Sequence, residues 1–380
     1  MKIAVPRERA PGERRVALVP DTCGKFVKAG ITVTVEHDAG RAAGFVDDAY
    51  VAAGATIAAD EAATVADADI VVRVTKPSDA ELNGLKRGAV LVGFLSPLGD
   101  PRSVERYAPR GLTALSMDAI PRTTKAQAMD ALSSQANIAG YKAALIAAST
   151  LPKFFPMLTT AAGTIKPAKV LIIGAGVAGL QAIATCRRLG AVVTAYDTRP
   201  VVKEQVQSLG AKFLEIDVGE SGEGQGGYAR ELSPEAIEKQ RLGMIKAIGA
   251  SDVVVTTAAV PGRRAPILIT KDAVAAMAPG SVIVDIAAET GGNCELTVTG
   301  ETITSPNGVT IVGTTNLPST VPADASQLYS KNVQTLLEYF IKDGAIALDM
   351  SDEIIAGTTL VHDGTIVHKP TLDALAKGSA

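Results

Sequence analysis

At 380 residues the chain exceeds a typical single domain, so two domains are expected, each large enough to bury its own core. Its 47% hydrophobic and 20% charged content, with no Trp, describes a globular α/β chain rather than a disordered or fibrous one. With 37 basic and 40 acidic residues the formal charge is -3; no block of like charge forms an arm or tail, and no nucleic-acid partner is expected.

The chain opens Met1-Lys2-Ile3-Ala4-Val5-Pro6 and runs straight into charged residues, so the apolar core of an export leader is not expected. Residues 2–5, 32–36, 70–74 and 90–94 read as strands, with a helix over 21–29 and short acid-led helices over 47–53 and 60–66. That alternation predicts a parallel sheet with crossover helices. Cys23, Cys186 and Cys294 lie far apart, form no CxxC pair and have no His at zinc spacing; packed reduced thiols are expected, no metal, and a cytoplasmic compartment.

Residues 126–149 form a long Ala-rich helical stretch, interrupted only by Gly140 and closed by Leu151-Pro152, suited to bridging two domains. A second βαβ series follows, with strands over 170–173, 192–196, 253–257, 282–286 and 310–312 and a helix over 178–189. The most apolar stretch, residues 170–186, is cut by three glycines and does not read as a membrane span. The tail predicts a helix over 325–341 and a hairpin turning at Asp363-Gly364. The resulting expectation is an α/β fold of two Rossmann-like domains with parallel sheets, the second inserted in the first. Residues 1–135 plus 320–380 are expected to form one domain, and residues 136–319 the other.

Gly174-Ala175-Gly176-Val177-Ala178-Gly179 is a weak signal as a bare GxGxxG, but here a buried-type strand precedes it and a helix follows. Gly174 permits the tight turn, Gly176 lets backbone approach a pyrophosphate, and Gly179 allows close packing of helix on strand. The helix N-terminus then offers free N–H groups and a favourable dipole to the phosphates. Asp197 ends the next strand, 18 residues beyond Gly179, where a carboxylate accepts ribose hydroxyls and repels a 2′-phosphate, so NAD is preferred over NADP; Arg199 weakens that preference slightly. The segments 256–262, Asp285 and 289–293 lie where ligands bind in such sheets, and each is readable as a turn or as a contact.

Acid/base candidates are few: His37, His362 and His368 are the only histidines, and the last two flank the predicted hairpin turn and read as structural. Residues 6–17, 260–266, 279–285 and 289–294 resemble the alanine dehydrogenase and transhydrogenase superfamily over nearly the whole chain. Alanine dehydrogenases carry a catalytic Lys and a catalytic His in segments that here read Val72-Arg73-Val74-Thr75-Lys76-Pro77 and Phe94-Leu95-Ser96-Pro97. Arg73 and Ser96 replace them, although Arg15 and Lys76 keep an amino-acid dehydrogenase in play.

Residues 121–135 resemble the nicotinamide-binding segment of the other branch, the NAD(H)-binding component of proton-translocating transhydrogenase. The resemblance places that family's Arg, Gln, Asp and Ser on Arg122, Gln127, Asp130 and Ser133, with Thr123, Thr124, Ala128 and Met129 beside them. Gln127 and Asp130 stand three apart and would share a helix face. It further implies nucleotide contacts at Gly174, Ala175, Gly176, Val177, Gly179, Asp197, Thr198, Arg199, Gln240 and Ala259, the last with a small side chain. Gly227 and Tyr228 match its mobile loop, in a run that also reads as flexible from its glycines. Direct hydride transfer between NAD(H) here and NADP(H) on a partner subunit needs no proton acceptor on this chain. The resemblance also implies a homodimer and separate NADP(H)-binding and membrane-spanning subunits that carry proton translocation. The chain would then sit on the inner face of the cell membrane without inserting. The alternatives are an alanine-type dehydrogenase and a non-catalytic NAD sensor.

Overall fold

Parallel βαβ alternation runs through the whole computed structural model, which describes residues 1–216, 233–259 and 262–378. The chain divides into two units: one comprises Met1–Ala136, Pro261–Arg263 and Pro318–Ala380, the other Asn137–Val260 and Arg264–Leu317. The second unit is thus inserted in the sequence of the first.

In chain order the first six strands are β1 (Lys2–Val5), β2 (Thr32–Glu36), β3 (Thr56–Ala58), β4 (Ile70–Val72), β5 (Val90–Gly93) and β6 (Thr113–Ser116). Helix α1 (Ala131–Thr150) leads into β7 (Lys169–Ile173), α2 (Val177–Arg188), β8 (Val192–Tyr196) and β9 (Lys212–Phe213). Next come α3 (Pro234–Gly249), β10 (Val253–Thr256), β11 (Val282–Asp285), β12 (Thr302–Thr304) and β13 (Thr310–Val312). Helix α4 (Pro322–Phe340), β14 (Thr359–His362) and β15 (Thr365–Ile366) return the chain to the first unit.

The first sheet has the order β15-β14-β6-β5-β4-β1-β2-β3. Strands β1 to β6 pair in parallel, and β14 and β15 close one edge antiparallel. The expected Asp-Gly hairpin is present: Asp363 (φ 44°) and Gly364 (φ 75°) turn between the paired residues His362 and Thr365. Both faces of this sheet are covered, so its central strands β1, β4 and β5 are near-continuous apolar runs rather than alternating. Ile3, Val5, Val72 and Leu115 pack with Tyr329, Val333, Leu336, Leu337 and Phe340 of α4; Ala4, Val71 and Leu91 pack with Leu82, Leu95, Val104 and Tyr107 on the opposite side.

The second sheet has the order β9-β8-β7-β10-β11-β13-β12, parallel except for β12. This is the doubly wound arrangement, with β7 between the strands that lead outward in opposite directions. Val170 and Ile172 bury against Ala143, Ala144 and Ala147 of α1 and Ala182, Ile183 and Cys186 of α2, while Leu171 and Ile173 face Met244 and Ile248 of α3. The small Ala side chains of α1 let that helix lie close to α2, and Gly140 is the tightest point: a Cβ there would overlap the Ala178 carbonyl oxygen. What reads in sequence as an interruption is a packing contact.

All three cysteines are buried free thiols. No helix among the described residues is long and apolar enough to cross a membrane.

Candidate functional site

In the second unit, β7 ends at Ile173 and the chain turns at Gly174, whose φ of 97° suits glycine. A Cβ on Gly174 would also stand 2.5 Å from Thr257 Oγ1, and one on Gly179 would overlap the Gly174 carbonyl oxygen. Around Gly176 a Cβ would meet nothing within 4 Å. Three glycines thus serve three needs: a left-handed turn, open space, and close contact between helix and turn. Gly176 is the N-cap of α2, and no side chain caps that helix, so no side chain meets its first N–H groups or the positive end of its dipole. Ala175 is buried and Val177 exposed.

Asp197 follows β8, and its carboxylate is turned back to the glycine turn. Oδ2 accepts the Ala175 N–H at 2.8 Å and Arg199 Nη2 at 3.0 Å; Oδ1 accepts the Arg199 N–H at 2.8 Å and Nε at 3.0 Å. Burial alone would raise its pKa, but the Arg199 side chain and the two backbone N–H groups outweigh it and hold the group below its ordinary value. Thr198 is exposed. Gln240, on α3, donates from Nε2 to the Tyr196 hydroxyl at the end of β8. Ala259, just past β10, is exposed. Gly227 and Tyr228 lie outside the described residues.

In the first unit, the helix expected over 126–149 begins only at Ala131. Gln127–Met129 is a single 3-10 turn, and Asp130 (φ -70°, ψ 86°) leaves helical geometry before α1 begins at Ala131. Gln127 and Asp130 therefore do not share a helix face. The reason is local: the Asp130 carboxylate accepts the Ser133 N–H at 2.9 Å and its Oγ–H at 2.6 Å, an N-cap bond that satisfies the first turn of α1. The segment is anchored by buried Met129 and by Asn332, whose Nδ2 donates to the Ala128 carbonyl at 2.9 Å. Arg122, Thr124, Gln127 and Ala128 are exposed, Ser133 is half-buried, and the Thr123 hydroxyl is buried with no hydrogen-bond partner.

At the positions matching an alanine dehydrogenase's Lys and His, the structure holds an ion network. Arg73, only 2% exposed, donates to Glu61 at 3.0 Å and to Glu81. Glu8 accepts the Val74 N–H at 2.6 Å, and burial of its carboxylate raises its pKa despite the nearby Arg73 charge. Ser96 (φ 53°) is held by its N–H to Asp118 at 2.9 Å. Lys76 is paired with Asp100, and Arg15 with Glu13 at 2.6 Å and Gln135 at 2.9 Å. His37 is exposed and bonded to Asp47 at 2.6 Å, while His368 is buried against Thr371. Nothing in a single sequence flags Glu8 or Asp118 as carboxylates drawn in from solvent. Asn293 falls in a loop readable only as turn or contact, and the structure makes it the hub of the β10 end.

Two parallel-sheet units, one with a glycine turn and an acid ending the neighbouring strand, define a protein of the Rossmann-type dinucleotide-binding class. The chain belongs to the alanine dehydrogenase/PNT family, whose N-terminal domain matches residues 4–139 and whose C-terminal domain matches residues 143–369. It is 48% identical over 380 residues to NAD(P) transhydrogenase subunit alpha of Cereibacter sphaeroides, covering 99% of this chain and 73% of that one. The crystal structure of transhydrogenase from Sinorhizobium meliloti superposes with a TM-score of 0.85 at 40% identity, covering 97% and 99% of the two chains. Alanine dehydrogenase 2 of Staphylococcus aureus (strain Mu50 / ATCC 700699) is more distant, 32% identical over 330 residues, with 85% and 82% covered.

Proposed function

We propose that this chain is the NAD(H)-binding component of a proton-translocating NAD(P) transhydrogenase, exchanging hydride directly with NADP(H) held by a partner subunit. The observation that carries the reading is the contrast between its two units. The second keeps a dinucleotide turn, open over Gly176 and uncapped at α2. The first has a charge-paired Arg73 and a Ser96 where an amino-acid dehydrogenase needs a proton acceptor.

The residues present fit the cofactor. The N–H groups at the start of α2 bind the pyrophosphate, reached over Gly174, Ala175, Gly176, Val177 and Gly179. Asp197 takes the adenosine ribose hydroxyls, with Thr198 and Arg199 at its rim, and Gln240 and Ala259 make further contacts. Arg122, Gln127, Asp130 and Ser133 orient the nicotinamide, and Thr123, Thr124, Ala128 and Met129 shape the surface around it. The reading assigns a further nucleotide contact to Gly227 and Tyr228, which lie outside the described residues. Bound NAD(H) supplies the ring that gives or takes the hydride. Because no proton is exchanged in that step, the protein contributes orientation and exclusion of water rather than a general base.

The chain works with an NADP(H)-binding subunit and membrane-spanning subunits, as a homodimer peripheral to the inner face of the cell membrane. The test mixes the chain with an NADP(H)-binding partner and follows reduction of an acetylpyridine NAD analogue by NADPH. Transfer at an enzymatic rate is expected; none at saturating cofactor sinks the proposal. Binding without transfer would leave an NAD sensor, and NAD reduction by L-alanine an amino-acid dehydrogenase.

A further inference from the structure

Where β10 ends, the ladder is continued by a side chain. Thr257 still gives its N–H to Ile173 on β7 at 2.9 Å, but the next peptide has left the sheet. The N–H of Ala258 donates to Asn293 Oδ1 at 3.0 Å, and its carbonyl accepts from Asn293 Nδ2 at 2.8 Å. A side-chain amide thus pairs with Ala258 through one donor and one acceptor, as a neighbouring strand would. The remaining capacity of the Asn293 amide is also filled: Oδ1 accepts the Thr256 hydroxyl at 2.6 Å, and Nδ2 donates to the Pro266 carbonyl at 2.9 Å.

Asn293 is itself held rigidly. It is 0% exposed, as is Asp285, the last residue of β11. Asp285 Oδ2 accepts the N–H groups of Asn293 at 2.8 Å and Cys294 at 3.0 Å and the Thr297 hydroxyl at 2.7 Å, while Oδ1 accepts the Ala287 N–H at 3.1 Å. The carbonyl of Asn293 accepts from Leu268 at 2.8 Å and Ile269 at 3.0 Å. A buried network in which every member is satisfied fixes one geometry, because any rearrangement strands a polar group.

What the network fixes abuts the glycine turn. Thr257 Oγ1 donates to the Gly174 carbonyl at 3.1 Å and stands where a Cβ on Gly174 would fall. Beyond Ala258, Ala259 is exposed at the carboxyl end of β10. Strand β7 lies between β8, which carries Asp197, and β10. In such a sheet the adenosine half of a dinucleotide lies on the β8 side and the nicotinamide half on the β10 side.

We infer that Asn293 is a positioning residue for the nicotinamide half of the cofactor: anchored by Asp285, it holds residues 257–259 as a wall against the glycine turn. The inference rests on the NAD(H) reading above. It assigns to an uncharged, fully buried amide the control of affinity for one half of the ligand.

The test compares the full chain with its Asn293→Ala variant, reading NADH affinity by cofactor fluorescence and AMP affinity by calorimetry. NADH should bind about three- to tenfold more weakly, the scale of one or two lost hydrogen bonds, with AMP affinity unchanged. Unchanged NADH affinity overturns the inference, and so does an equal loss for AMP and NADH, which marks general loosening. Should the variant fail to fold, hydrogen exchange of the Ala258 amide in the unmodified chain decides. Slow exchange is expected, and exchange at the rate of a free amide overturns the inference. Failure of the NAD(H) reading is distinct, since the unmodified chain would then not bind NADH.

Discussion

Asp197 and Arg199, two positions apart, form a closed pair: the arginine donates three of the four hydrogen bonds that fill the aspartate's carboxylate, and the Ala175 N–H donates the fourth. A carboxylate offers about four lone-pair sites, so ribose hydroxyls bind only by displacing part of this set. The displaceable part is the Arg199 side chain, 58% exposed against 7% for Asp197. Asp197→Ala should then weaken NADH about tenfold while releasing a guanidinium that suits a 2′-phosphate, raising the NADPH to NADH affinity ratio by more than that factor. Adding Arg199→Ala should remove the gain for NADPH. Paired titrations of the two cofactors check both steps, and an unchanged ratio in Asp197→Ala contradicts the assignment.

Glycines at the turn and on the helix packed beside it should fail differently. Gly179→Ala drives a methyl group into the Gly174 carbonyl and Gly140→Ala drives one into the Ala178 carbonyl. Overpacking costs about 1–3 kcal/mol and exceeds the gain of under about 1 kcal/mol from replacing helical Gly by Ala. Both variants should melt earlier and bind NADH poorly. Gly176→Ala meets no neighbour, so its stability should stay within about 0.5 kcal/mol while NADH affinity falls at least tenfold, because the methyl group fills the phosphate's approach. Denaturant melts and cofactor titration separate the two classes; a destabilised Gly176→Ala would contradict the reading.

The glycine turn is legible in sequence because three constraints coincide there, a buried strand, fixed glycine spacing and a helix, and each is local. The same holds for the Asp363-Gly364 hairpin. Strands β3 (Thr-Ile-Ala), β6 (Thr-Ala-Leu-Ser), β9 (Lys-Phe) and β12 (Thr-Ile-Thr) escape prediction because each holds a single large apolar residue, whereas β4, just as short, reads Ile-Val-Val. At Asp130, spacing suggests a shared helix face, but the side chain's preference for capping Ser133 wins. Arg73 is visible as a substitution, whereas its partners Glu61 and Glu81 are brought to it only by the fold. Asn293 is beyond reach for the same reason: its partner Ala258 is 35 residues away.

His368 gives the first unit a pH dependence. It is 7% exposed, its Nδ1 is 2.8 Å from the Thr371 hydroxyl, and burial lowers its pKa below the ordinary 6.5. The unfolded chain therefore binds a proton at higher pH than the folded one. The stability this neutral imidazole contributes is present above about 6.5 and is lost as pH falls through the lower folded-state value. Denaturant midpoints should decline between pH 7 and 5, and His368→Asn should flatten that decline. A variant with the same slope as the original would assign the effect to other groups.

Arg73 and Ser96 test whether this scaffold is two substitutions from an amino-acid dehydrogenase. Glu61 and Glu81, with side chains 19% and 12% exposed, share its guanidinium. Arg73→Ala leaves Glu81 without its ion pair and Glu61 with only Arg9, at 3.3 Å, and should cost about 3 kcal/mol, since breaking a buried pair on one side is more damaging than replacing it whole. Arg73→Lys should cost less, because a charge remains, but an ammonium cannot reproduce the fork. Combined with Ser96→His it restores the residue types of an alanine dehydrogenase without restoring their chemistry. Two carboxylates beside the new lysine favour its protonated form, whereas a proton acceptor must be neutral. The double variant should therefore bind NAD yet form no NADH from L-alanine at an enzymatic rate. Rapid NADH formation would show instead that residue identity at these two positions, and not the surrounding carboxylates, separates the two branches of the family.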